Sequence, residues 1–174
     1  MIESIALALM KTLATFLFKS YMVSQAKINI EGAPAWYMQN DSARVCVYDF
    51  QKGGLGAVDK AKDGAYLKMN EELSNILETV IYQNFSNLKD QKEKTFVMMF
   101  KDDKDAPYFI RQHMTFLDIE YKKNIQTAFV KACIDKDTII AYQDKRVGTI
   151  KYELTHKRAD NAFEELDNSI TETE

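Results

Sequence analysis

The stretch Gly53–Phe85, GGLGAVDKAKDGAYLKMNEELSNILETVIYQNF, decides the fold. It reads as a glycine-rich turn feeding one long amphipathic helix over about residues 56–84. Val58, Ala61, Ala65, Met69, Leu73, Ile76, Val80 and Ile81 recur at three- and four-residue steps, while Asp59, Lys60, Lys62, Lys68, Glu71 and Glu78 fill the other side. Small side chains come first and large ones later, so the first turns can approach a sheet closely and the later turns fill a wider space. Gly53, Gly54 and Gly56 match neither a P-loop nor a dinucleotide fingerprint, and their role is a tight turn into the helix.

The segments on either side supply surfaces for that helix. Residues 43–50, ARVCVYDF, alternate with period two, placing Val45 and Val47 on one face and Arg44, Cys46 and Tyr48 on the other. Residues 114–123 and 124–135 read as two strands of a hairpin, with Ala128, Val130, Ala132 and Ile134 on one face and Phe129, Lys131 and Cys133 on the opposite face. Ile139, Ile140, Tyr142, Val147, Ile150 and Leu154 then predict a helix over about 137–155, which Gly148 weakens or breaks. The expected fold class is α+β: a small antiparallel sheet against a long helix and a C-terminal helix.

Between these elements, SNLKDQKEKTF (86–96) predicts the end of the long helix and a turn. Thr95–Phe100 fits helix or strand, and KDDKDAP (101–107) reads as a solvated loop that lacks the spacing of a calcium loop. Upstream, Pro34 holds Ala33 extended, and Trp36 and Tyr37 are expected to cap one end of the core, with ligand stacking as the alternative.

The 174 residues suit one domain over 27–166 with a flexible tail at 167–174. A net charge of −3 removes the long-range attraction that phosphate-backbone binders use, which disfavours nucleic acid as a partner. Residues 2–22 are the most hydrophobic part, but Glu3, Lys11 and Lys19 interrupt them, which argues against a membrane-spanning helix. Two readings stay open. Either MKTLATFLFKSYMVSQA (10–26) is a signal peptide and the mature chain starts at Lys27, or the segment is an amphipathic helix. In the second reading Ile2, Ile5, Leu9, Leu13, Phe16 and Leu17 pack on the domain, a neighbouring subunit or a membrane surface.

Catalysis finds little support in these residue types. His113 and His156 are the only imidazoles, expected at a strand edge and on an exposed helix respectively, and neither has metal-ligand spacing. The adjacent acids Glu71/Glu72, Asp102/Asp103 and Glu164/Glu165 read as solvated. Neither metal nor cofactor is expected. Cys46 and Cys133 project from corresponding strand faces: as unlinked thiols they fill space like small hydrophobes, and as neighbours in an oxidising compartment they form a bridge.

The order of elements, with APAWYMQN (33–40), Asp59–Leu73 and Thr127–Asp137, resembles the lipoprotein-20 family of small secreted or outer-membrane proteins, which includes flagellar basal-disc lipoproteins. It is also similar to the tumour necrosis factor-inducing protein. The first resemblance implies a domain that works by assembly or surface contact in the periplasm or at the outer membrane, as a homo-oligomer or beside a lipidated relative. No cysteine follows the hydrophobic segment, so membrane association is expected to be peripheral. The expected interaction surface comprises Ile5, Leu9, Leu13, Phe16, Leu17, Trp36 and Tyr37. The second resemblance implies a secreted effector acting on host surfaces, and a small enzyme with an unrecognised pocket is the third reading.

Overall fold

The computed structural model describes residues 30–101 and 103–171, with side-chain surroundings through residue 164. Strand β1 (Arg44–Lys52) leads into helix α1 (Ala57–Phe85). Two short helices follow, α2 (Gln91–Met98) and α3 (Ala106–His113), with a 3-10 turn at Met99–Lys101 between them. Strands β2 (Thr115–Lys122) and β3 (Thr127–Asp135) form the hairpin, and helix α4 (Lys136–Thr171) ends the described chain. The sheet order is β1-β3-β2, antiparallel throughout. The fold is therefore α+β, a three-stranded antiparallel sheet packed against the long α1 and the C-terminal α4.

Alternation in β1 and β3 places side chains as their sequence implies. Val45, Val47, Ala128, Val130, Ala132 and Ile134 face the helices and join Ala61, Ala65, Met69 and Leu73 of α1 in the main core. Because β3 is the central strand, all but its last residue are buried. Gly56, at φ +89, turns the chain into α1. The same turn is fixed to the hairpin, with Gly53 N–H donating to the Gln126 carbonyl at 2.8 Å and Tyr121 Oη donating to the Gly53 carbonyl at 3.0 Å.

The buried side of α1 is Ala57, Ala61, Ala65, Met69, Leu73, Leu77 and Ile81, a step of four at every move. Ala57 and Leu77 join this buried side, while Val58 and Ile76 pack against the same core partly buried and Val80 is partly buried. At about 100° per residue a four-residue step overshoots one turn by about 40°, so the stripe winds steadily round the helix. Its small-residue end lies on the sheet. Its far end, Ile81, packs with Val97, Ile150 and Leu154 in a second core between α1, α2 and α4.

Several expectations need correction. Residues 91–98 are helical, started by Asp90, whose carboxylate accepts from the Lys92 N–H at 2.7 Å, so 86–96 is more than a turn. Of the two forms open to Thr95–Phe100, the segment takes the helical one throughout. His113 ends α3, 4.7 Å from the Phe109 ring, and is no strand-edge residue. The KDDKDAP loop is not solvated along its length, because the Asp103 side chain is only 2% exposed. It accepts from Tyr142 Oη and pairs with Arg146 Nε at 3.1 Å, pinning the loop to α4. Asp102 lies outside the described residues. Gly148 leaves α4 unbroken, and the helix continues to Thr171, well past 155.

Candidate interaction surface

Opposite the helices, the sheet carries Cys46, Tyr48 and Phe50 on β1 and Phe129, Lys131 and Cys133 on β3. Cys46 and Cys133 stand directly opposite one another in the register, with Cα atoms 4.1 Å apart. That spacing is close to the ~4.5 Å of a non-hydrogen-bonded antiparallel pair, where facing side chains meet. The two cysteines form a disulfide, so the reading of two unlinked thiols is corrected. Both are buried.

Residues 30–43 fold over this face as a chain of turns. Tyr37 N–H donates to the Pro34 carbonyl at 3.0 Å, and Gln39 N–H donates to the Trp36 carbonyl at 3.2 Å. The turns lay Tyr37 edge-on against Tyr48 and Phe129, at centroid separations of 5.5 and 5.2 Å, with Trp36 6.0 Å from Tyr37. Tyr48 Oη donates to the Gln39 carbonyl and holds the cover down. Tyr37 and Met38 pack on the disulfide cluster. Tyr37 therefore caps this outer face of the sheet, over the disulfide cluster, with Trp36 beside it, and both remain partly exposed.

Lys131 also lies on this face, nearly buried, with Nζ 5.9 Å from the Tyr48 ring centroid. Burial, followed by the Asp41 and Asp118 carboxylates, pushes the Tyr48 hydroxyl up to about 12. Burial first, then Asp49 and Tyr48, raises Tyr37 further still. Both hydroxyls stay protonated at neutral pH, so they act as hydrogen-bonding and packing groups rather than as bases. The edge strand β2 turns Asp118 and Glu120 toward this side, and its register shifts between Phe116 and Asp118. Charge and a bulge are two features that discourage strand addition at an edge.

On the helix side, the carboxylate of Asp49 is buried against Gly64 of α1. A Cβ at Gly64 would stand 2.1 Å from Asp49 Oδ2. Lys68, one turn on, pairs with Asp49 Oδ1 at 2.7 Å and donates to the Tyr48 carbonyl at 2.8 Å, while Gln51 Nε2 donates to Oδ2 at 3.1 Å. This group fixes where α1 crosses β1, and its contacts mark it as structural. Gly64 is a signal that sequence reading missed: a glycine mid-helix is costly unless something occupies the place of its side chain.

Of the expected interaction residues, the structure brings Trp36 and Tyr37 together, while Ile5, Leu9, Leu13, Phe16 and Leu17 lie outside the described residues. His156 is exposed on α4, 4.4 Å from the Tyr152 ring, as expected. Among the described residues no three His, Cys, Asp or Glu side chains gather to hold a metal ion, and no helix is long and apolar enough to cross a membrane. No protein-family model and no curated protein sequence matches the chain.

Proposed function

We propose that the chain is a non-enzymatic structural protein of the bacterial cell envelope, a component of an oligomeric periplasmic or outer-membrane assembly such as the flagellar basal disc. The observation that carries the reading is the buried Cys46–Cys133 disulfide between directly opposed strands. A structural disulfide of this kind fits an oxidising extracytoplasmic compartment. The assembly part draws on the resemblance of short segments to lipoprotein-20 proteins and on exposed large side chains such as Leu67, Tyr82, Met99, Tyr108 and Phe163. Its work is contact: a stapled sheet and a long helix present fixed surfaces to other copies or to a lipidated partner.

The test is fractionation of host cells after trapping free thiols by alkylation, followed by crosslinking of intact cells. The reading expects a chain with both cysteines unmodified, in the envelope fraction, crosslinked to itself or to envelope proteins. An alkylated chain in the cytosolic fraction with no such crosslinks overturns it. The disulfide fits the secreted-effector reading equally well, and recovery of the protein in culture medium alone would favour that second reading.

A further inference from the structure

Strand β1 hands over to α1 through Gly53-Gly54-Leu55-Gly56, and this loop is fixed at both ends. Gly53 is tied to the hairpin through Gln126 and Tyr121. Ala57 N–H donates to the Gly54 carbonyl at 3.1 Å, closing a turn in which Gly56 holds φ +89 and ψ −5. Those angles are what the third residue of a type II turn requires, and they put Leu55 at the outer corner. Leu55 is 109% exposed, so its whole side chain stands in water. A lone exposed leucine is ordinary on a protein surface. This one is held clear by a hydrogen-bonded turn, and a Cβ at Gly53, Gly54 or Gly56 would meet nothing within 4 Å, so the loop is open around it.

Lysines surround the tip. Lys52 ends β1 and Lys122 ends β2, and both stand opposite Thr127 of β3 in the register, so they flank it at one level of the sheet. Lys123 follows in the β2–β3 turn, and Lys60 lies one turn into α1, its N–H bonded to the Gly56 carbonyl at 3.0 Å. Lys52, Lys60 and Lys123 are exposed and enter no ion pair among the described residues, while Lys122 reaches Glu120 at 3.7 Å. Residues 52–60 and 121–127 thus hold four lysines against the single acid Asp59, and Glu31 stands beside Gly32, which packs on Ile125 of the same turn.

The whole chain carries −3, so the sign of any attraction depends on how far charge is felt. At physiological ionic strength screening sets in over about 8 Å. Asp118, on the outer face of the sheet, stands opposite Lys131, four residues and about 13 Å along β3 from Thr127. A surface that touches Leu55 therefore meets the lysines before that acid. Phosphates alone, as on a nucleic acid, give an aliphatic tip nothing to enter. A lipid surface supplies both parts, phosphates for the ammonium groups and hydrocarbon just beneath them for the leucine.

We infer that this end of the domain docks on an anionic lipid bilayer, with Leu55 entering the boundary between headgroups and acyl chains and the four lysines lying among the phosphates. The inference rests on the envelope reading above and gives that reading a membrane-facing end. Attachment is reversible, since one leucine and four lysines fall short of a permanent anchor.

The test is flotation of the full-length chain with phosphatidylcholine vesicles, made with and without phosphatidylglycerol. Binding is expected only with phosphatidylglycerol and should weaken as salt rises. Leu55→Ser should weaken it at least about ten-fold, and Lys52→Gln with Lys123→Gln about thirty-fold. Leu67→Ser, and Lys89→Gln with Lys94→Gln, remove an exposed leucine and two exposed lysines elsewhere and should leave it unchanged. In a chain carrying Trp36→Phe and Leu55→Trp, the emission should move to the blue on the anionic vesicles and be quenched by brominated acyl chains. Absence of binding overturns the inference, as does binding that Leu55→Ser and the lysine pair leave intact, or a tryptophan at 55 that stays in water on bound protein. Each of these leaves the assembly reading standing, which fails separately on an alkylated chain in the cytosolic fraction.

Discussion

Removing the disulfide by Cys46→Ala with Cys133→Ala gives a magnitude that follows from the chain itself. The bridge closes a loop of 87 residues. In the chain-entropy description a loop of that size withdraws about 15 cal/mol/K from the unfolded ensemble, or about 4.6 kcal/mol at room temperature. The paired strands already hold the two positions opposite one another in the native register, so the folded state needs little rearrangement to lose the bond. The whole entropic term should therefore appear in stability. For a chain of this size it lowers the thermal midpoint by roughly 10–18 °C. Urea denaturation of the double variant, beside wild type with and without reductant, measures it. Reduced wild type and the variant should agree to within about 1 kcal/mol, both well below oxidised wild type. Midpoints within about 1 kcal/mol of the oxidised protein would refute the reasoning, showing that the unfolded chain is not appreciably constrained by the bond.

Other perturbations probe the remaining contacts. Gly64→Ala should destabilise by about 1–3 kcal/mol, despite alanine's higher helix propensity, because the new methyl displaces the Asp49 carboxylate; a double-mutant cycle with Asp49→Ala should show coupling of at least about 1 kcal/mol, and additive effects would count against the contact. Gln143 is buried on α4 with no hydrogen-bond partner for Nε2 among the described residues, so Gln143→Leu should raise stability by about 1 kcal/mol, read from the denaturation midpoint. The two-point contact from Arg158 holds the Glu93 carboxyl below its ordinary value of 4.5. The contact is thus complete above that pH and lost as pH falls through the lowered value, which a carboxyl NMR titration should show and which Arg158→Gln should restore to the ordinary range. Tyr48, pushed up to about 12, should ionise late in an absorbance titration, and because the fold favours its protonated form, stability should fall as pH rises from 10 toward 12.

Much of this architecture was readable in the residues, for reasons that also explain what was not. Period-two alternation in Val45–Tyr48 and Ala128–Ile134 specified both faces of the sheet, because a strand side chain has only two directions to take. The long helix was equally clear, and Val58 and Ile76 do meet the core, but Ala57 and Leu77 lie deeper than either. Steps of three and four mark an apolar side without saying how it winds, and the stripe rotates to follow the sheet first and α4 later. Helices α2 and α3 were missed because polar sequences such as QKEKTFVM owe their helicity to a cap at Asp90 and to packing by a few residues such as Val97. Asp103 looked like a solvated acid because Tyr142 and Arg146, which surround it, are some forty residues away in the chain. Gly64 and Asp49 share that character, since only the crossing of α1 over β1 reveals why each is needed. The disulfide required knowing that β1 and β3 are neighbours, which alternation alone does not say.

Sedimentation velocity of the full-length chain, oxidised and at low micromolar concentration, tests the claim of work by assembly most directly. The account predicts a species of several times the 20.1 kDa chain mass. A single species at the mass of one chain, unchanged across concentration and salt, would contradict it.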